Sequence, residues 1–256
     1  MNFAPSVAEA LDAVCRNILE VQKESGRKQE VQIVAVTKNV GIEKMQKAIA
    51  AGLSTFGENR IQEAVPKIET IGKAASWRMI GHLQSNKVKK AVELFDTIDS
   101  VDSFALAAEI SKAAKARNRM MPVLLEVNAS GEPSKYGFSP EKILAEAKKI
   151  AGLENLSVDG LMTVGPLTED EKRQRAAFAL LRQLFEEIEK RKIFGPLFRH
   201  VSMGMSADYP IAVEEGTTMV RLGTALFGPW ETEIKKTENP SIRPKNRGSL
   251  GTREVL

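Results

Sequence analysis

The chain has 256 residues, 43% of them hydrophobic and 27% charged, with a formal net charge of +4. That is the composition of a globular protein able to bury a core, and it excludes a disordered body. The length suits a single α/β barrel, which commonly takes about 250 residues.

Charge and patterning exclude further classes. Six basic and four acidic residues lie in Glu231–Leu256, which leaves the body nearly balanced. No basic stripe with interleaved aromatics appears, so nucleic acid is not an expected partner. No run of about 18 apolar residues occurs, so no membrane span is expected. The amino terminus MNFAPSVAEALDAV lacks a basic region followed by a long apolar one. The single cysteine, Cys15, excludes an internal disulfide and reads as a small core residue of an amphipathic helix. A cytoplasmic protein is expected. Asn128-Ala129-Ser130 matches a glycosylation sequon, without consequence where no secretory signal precedes it.

In chain order, Val7, Leu11, Val14, Ile18 and Val21 recur at spacings of three and four and predict an outer helix over 5–25. Val31-Gln32-Ile33-Val34-Ala35-Val36 follows, a nearly continuous apolar run that reads as a strand buried on both faces and delivers Lys38 to its carboxyl end. Alone, such a lysine reads as a solvated loop residue. Further strands are predicted at 55–59, 77–81, 97–101, 121–128, 156–164, 198–203 and 219–227. Helical patterns lie between them at 42–51, 61–73, 84–94, 103–117, 140–150, 170–191 and 208–215. Ser139-Pro140 reads as a helix cap followed by proline at the first position, and Thr168-Glu169-Asp170-Glu171 as a capping box. Alternating strands and helices in these numbers predict one (β/α)8 TIM barrel over residues 1–229, with an extra N-terminal helix. Residues 230–256, rich in charge, proline and glycine, read as a mobile tail.

Two histidines and one cysteine form no zinc-like cluster, so no metal is expected. Neither a P-loop, a dinucleotide fingerprint nor a nucleophile elbow occurs. Polar residues instead gather at carboxyl ends of predicted strands: Lys38; Glu58 and Asn59; His82, Gln84 and Asn86. Ser202-Met203-Gly204-Met205-Ser206 follows the seventh strand, and Arg221-Leu222-Gly223-Thr224 lies within the eighth. Barrels frequently bind phosphate between these two ends, where small residues let backbone N–H groups approach an anion; Ser202, Ser206, Gly223 and Thr224 suit that role as well as that of tight-turn residues. A buried Arg221 requires an acceptor. A lysine, a phosphate site and an arginine on one face suggest a phosphorylated carbonyl compound held as a Schiff base. Pyridoxal 5′-phosphate fits; a Schiff-base aldolase acting on sugar phosphates is a competing reading.

The stretches Val34–Lys38, Phe56-Gly57-Glu58-Asn59-Arg60-Ile61-Gln62-Glu63, Ile80-Gly81-His82-Leu83-Gln84-Ser85-Asn86-Lys87, Ser202–Asp208 and Arg221–Thr224 together resemble the pyridoxal phosphate homeostasis protein family, also called the YggS or PROSC family. The match runs over about residues 5–229. The resemblance implies a barrel like that of bacterial alanine racemases, with Lys38 bound covalently to the cofactor. It implies that Ser202, Met205, Ser206, Gly223 and Thr224 hold the phosphate, that Arg221 faces the pyridine nitrogen, and that Asn59 and Met79 line the ring. Lys135 matches a recurrent family lysine and is taken as a secondary site for cofactor transfer or phosphate. One departure is Arg78, where the family usually has histidine. The implied function is cofactor homeostasis, as a monomeric carrier and buffer serving recipient apo-enzymes, with no catalytic residue assigned. Racemases of this kind take a second base, a tyrosine, from a separate β domain. Residues 230–256 are too few for such a domain, and neither Tyr136 nor Tyr209 lies where that base does. A weak amino-acid racemase or another pyridoxal-phosphate enzyme is the alternative.

Overall fold

A computed structural model describes residues 5–229 of the chain. Eight strands, β1 (Gln32–Val36), β2 (Thr55–Glu58), β3 (Ser76–Met79), β4 (Thr97–Val101), β5 (Met121–Glu126), β6 (Leu156–Met162), β7 (His200–Met205) and β8 (Met219–Leu222), close into a barrel in chain order. Every neighbouring pair is parallel, and β8 returns to β1 with Val34 opposite Arg221. The expected barrel is therefore the observed one. Val34, Ala35 and Val36 are all buried, as a strand covered on both faces requires.

Helices α1 (Val7–Ser25), α2 (Ile42–Ala50), α3 (Ile61–Ile71), α4 (Val88–Leu94), α5 (Phe104–Lys115), α6 (Ile143–Ile150), α7 (Glu171–Lys190), α8 (Tyr209–Glu214) and α9 (Thr224–Phe227) surround it. The expected outer helix, α1, lies against α2, α8 and α9 through Val7, Val14, Ile18 and Val21. Each such side chain contributes about 1.5–3 kcal/mol when fully buried. The main core fills the space between strands and helices. A second cluster, Val34, Leu124, Met162 and Met219, joins β1, β5, β6 and β8 without helix residues and fills the barrel interior.

Several local expectations are corrected. The apolar stretch 219–227 is not one strand: β8 stops at Leu222, and Thr224–Phe227 turns into α9. Helix α6 starts at Ile143, because Ser139 instead heads a turn whose carbonyl accepts from Lys142 and Ile143 N–H. The cap of α7 is Asp170, which accepts from Lys172 and Arg173 N–H, while Thr168 Oγ1 accepts from Asp170 N–H just upstream. A full capping box does occur at α1, between Ser6 and Glu9. Cys15 is exposed, not core, since it lies off the stripe that Val14 and Ile18 define. Among the described residues no helix is long and apolar enough to cross a membrane. The tail at 230–256 lies outside the described residues.

Candidate functional site

At the carboxyl end of β1, Thr37 N–H donates to Gly57 O at 3.0 Å, and Asn39 takes the left-handed conformation (φ 57°), so the chain turns sharply just after Lys38. Alternation along β1 puts Lys38 on the side of Val34, which belongs to the interior cluster. The half-buried Lys38 is thereby carried to the mouth of the barrel. Asn59 stands at the same rim, at the end of β2. Its Oδ1 is buried and has no hydrogen-bond partner among the described residues. Asn59 is held close to β3, where a Cβ on Gly81 would lie 2.4 Å from Asn59 O, so only glycine fits there. A cavity of about 260 Å³ opens beside it, lined by Asn59, Met79, His82 and Lys87 among others. Met79 itself is 2% exposed and packs in the main core. A larger cavity of about 840 Å³ between α4 and α5, lined by Lys89, Lys112 and Arg117, lies away from the mouth and offers none of these groups.

The ends of β7 and β8 supply anion-type donors. Backbone N–H of Gly223 and Ala225 converge on Ser206 Oγ at 3.2 and 3.1 Å, and Thr224 lies between them. The Ser206 hydroxyl, the two N–H groups that meet it and the neighbouring Thr224 hydroxyl gather donors of the kind that suit a phosphate oxygen. Gly204 permits the approach of α8, since its φ is +91° and a Cβ there would meet Ala212 Cβ at 2.6 Å. Met205 is 36% exposed, and its N–H donates to Asp208 Oδ1 at 2.6 Å.

Ser202 departs from the expected grouping. It is fully buried, and its Oγ accepts from Arg221 Nη1 at 2.7 Å, so the structure places it with Arg221 and not with Ser206. Arg221 also donates through Nη2 to Thr163 O at 2.8 Å and is 4% exposed. Burial pulls the Arg221 pKa below its ordinary value, and the carboxylates of Asp99, Glu126 and Asp208 oppose this. Glu126 is the buried counterpart at the end of β5: burial pushes its pKa up to about 7, against the attraction of Arg221. Arg78 is paired in bidentate fashion with Asp99, at 2.8 and 2.9 Å. His200, depressed to about 4 by burial and by the guanidiniums of Arg78 and Arg199, stays neutral.

The loop after β5 folds over one side of the mouth. Lys135 Nζ donates to Gly165 O at 2.5 Å and pairs with Glu132 at 2.5 Å. Tyr136 stacks on His82, with centroids 3.7 Å apart, and His82 Nδ1 lies 3.1 Å from Asp102 Oδ2. The sequon residue Asn128 is used within this loop, its amide donating to Glu132 O and Lys135 O. No group of three or more potential metal-ligating side chains occurs among the described residues. The polar residues missed from sequence are Glu126, Asp99, Asp208 and Lys67. The first two stand on strands, and the strand-end rule that picked out Glu58 would have found Glu126.

A family model described as "Alanine racemase, N-terminal domain" matches residues 10–230. A protein of Vibrio cholerae named pyridoxal phosphate homeostasis protein is 36% identical over 229 residues, covering 87% of this chain and 96% of its own length. The chain belongs to the pyridoxal phosphate homeostasis protein family. Its barrel matches that of PipY from Synechococcus elongatus, solved with PLP bound, with a TM-score of 0.74, 36% identity and coverage of 87% of this chain and 100% of the other. It also matches an alanine racemase of Clostridium difficile with a TM-score of 0.69 and 18% identity, covering 88% of this chain but 56% of the racemase, a likeness of fold. Within the family frame, the motifs at Lys38, Asn59, Ser202–Ser206 and Arg221–Thr224 all fall around one mouth of the barrel.

Proposed function

We propose that this protein binds pyridoxal 5′-phosphate reversibly, with Lys38 as the covalent anchor, and serves as an intracellular carrier and buffer of that cofactor. The observation that carries the reading is the placement at the carboxyl ends of paired strands: Lys38 just past β1, Arg221 on its neighbour β8, and the Ser206–Gly223–Ala225 cluster just past β7 and β8. These residues fit the ligand: an amine for an aldehyde, paired N–H groups and hydroxyls for a phosphate, and an orphaned amide oxygen on Asn59 for a polar ring edge. Bound there, pyridoxal phosphate supplies an aldehyde that condenses with a primary amine as a Schiff base and a ring able to delocalise charge.

The chain's own groups restrict the chemistry open to a bound ring. Arg221 has donors only, so a ring nitrogen opposite it stays unprotonated, and carbanion chemistry is disfavoured. Ser202 and Thr163 hold that guanidinium in place, which supports a role for the Ser202 hydroxyl in orienting Arg221; in this proposal Ser206, Gly223 and Thr224 take the phosphate, with Met205 at the rim. Tyr209 packs against the main core and Tyr136 is stacked on His82, so neither is poised as a second base. Lys135, tied to Gly165 and Glu132 at the edge of the mouth, is the secondary lysine through which cofactor passes to recipient apo-enzymes. The same proposal takes the protein as cytoplasmic and monomeric; its lone Cys15 is a free thiol, which fits a reducing compartment.

Titration with pyridoxal phosphate and with pyridoxal, followed by absorbance and by the thermal midpoint, tests this reading. The phosphorylated form is expected to raise a new absorbance band and the midpoint, and pyridoxal to bind at least about tenfold more weakly for want of charge-assisted hydrogen bonds. Equal binding of the two would contradict the assignment of Ser206, Gly223 and Thr224.

A further inference from the structure

Behind the wall of the mouth lies a buried ion pair. Lys67, on α3, donates to Glu58 Oε1 at 2.7 Å and to the carbonyl oxygen of Thr37 at 2.6 Å. Thr37 Oγ1 donates to the same Glu58 oxygen at 2.6 Å. The lysine side chain is 11% exposed and that of Glu58 not at all. Thr37 and Glu58 alternate with Lys38 and Asn59 along their strands, so they face the helices while the latter two face the mouth. The fold alone does not account for this arrangement. A buried lysine–carboxylate pair is often replaced by apolar residues without loss of stability. Here Glu58 Oε2 is also buried with no hydrogen-bond partner among the described residues, an unfavourable state for a carboxylate.

The position of the pair does account for it. Thr37 O belongs to the peptide that carries Lys38, and it accepts from the Lys67 ammonium and from Val40 N–H at 2.9 Å. Glu58 precedes Asn59, and its carbonyl accepts from Ile80 N–H at 3.0 Å. One buried cluster thus fixes the ends of β1 and β2 from behind. We propose that Glu58 and Lys67 are a positioning pair that holds the Thr37–Lys38 peptide so that the Lys38 amine meets the carbonyl carbon of its ligand. This rests on the reading of Lys38 as the anchor of pyridoxal phosphate. The pair accelerates and directs attachment without contacting the ligand, as a preorganised support does.

The test uses the full chain and the double variant Glu58→Leu/Lys67→Met, with Glu58→Gln as the conservative control. Three quantities are read: the thermal midpoint without ligand, the rate at which the absorbance band forms on mixing with pyridoxal phosphate, and the distribution of borohydride-trapped label among lysines. The double variant is expected to keep a similar midpoint, to form the band on the order of tenfold more slowly, and to show label spread beyond Lys38. Glu58→Gln, which still accepts from Lys67 and Thr37, is expected within about threefold of the unsubstituted chain. A double variant with an altered midpoint but an unchanged rate and label overturns the inference. Should it not fold, Thr37→Val carries the test: a rate lower by about fivefold or more at an unchanged midpoint supports the pair, and a rate within the range of the Glu58→Gln control overturns it. Absence of the band in the unsubstituted chain overturns the reading of the site and this inference with it. Equal rates in the unsubstituted and double-variant chains overturn the inference alone.

Discussion

Replacing Lys38 by alanine is expected to leave the barrel folded and to abolish borohydride-stable attachment of pyridoxal phosphate. The fold survives because Lys38 lies beyond the last residue of β1, whose own ladder to β2 and β8 does not involve its side chain. The buried Thr37, Glu58 and Lys67 cluster behind it is also untouched. What disappears is the only covalent component of binding. The proposed contacts from Ser206, Gly223 and Thr224 to the phosphate would remain, so weak association is expected to persist. The loss in affinity is expected to reach on the order of 100-fold, or about 3 kcal/mol. Equilibrium dialysis of the variant against the unsubstituted chain measures it. An absorbance band of full amplitude in the variant would place the anchor elsewhere.

The second large effect concerns Glu126 and pH. Burial raises its pKa from 4.5 to about 7, with Arg221 opposing the shift and Asp102 adding to it. The folded chain therefore holds a proton on this carboxyl that the unfolded chain has released between those two values. The contribution of Glu126 to stability falls as pH rises through that window, because this group binds more protons in the native state there. Glutamine at the same position stays neutral at every pH and removes this contribution. Glu126→Gln is expected to match the unsubstituted protein near pH 4 and to exceed it by about 3 kcal/mol at pH 8. Glu58, Asp159 and Asp208 are also shifted upward by burial, but they are common to both chains, so the difference curve isolates Glu126. Denaturant midpoints between pH 4 and 8 give that curve. A flat difference, or one that grows toward acid, contradicts the placement of Glu126 in the interior.

The barrel was legible because each strand is a short apolar run bounded by turn residues, and burial on both faces leaves a near-continuous signal such as Val31–Val36. The same signal failed at 219–227, where strand and helix are equally apolar and only Gly223 marks the break between them. Helix starts failed for a related reason. Ser139 and Thr168 do make capping-type turns, but the first helical residues lie downstream of both.

At the site, Lys38, Asn59 and the donors around Ser206 were readable from their places after strands and from the family motifs. Ser202 and Ser206, grouped together in the sequence, have different partners because Ser202 sits inside β7 while Ser206 lies just past the strand's end: one hydroxyl meets Arg221 and the other accepts from Gly223 N–H. Lys67 has the look of a solvated helix lysine. Its burial depends on Glu58 and Thr37, which come from the ends of two different strands, and no local pattern reports such a meeting. Arg78, which departs from the histidine that the resemblance led us to expect, is accounted for by the pairing of β3 with β4, which brings Asp99 alongside it.

In the proposed reading, cofactor binding at this mouth turns on one amine. Borohydride reduction of the full chain loaded with one equivalent of pyridoxal phosphate, followed by peptide mass analysis, locates the modified lysine. Label on Lys38 alone is the expected result. Label chiefly on Lys135 or on surface lysines, with Lys38 unmodified, would contradict it.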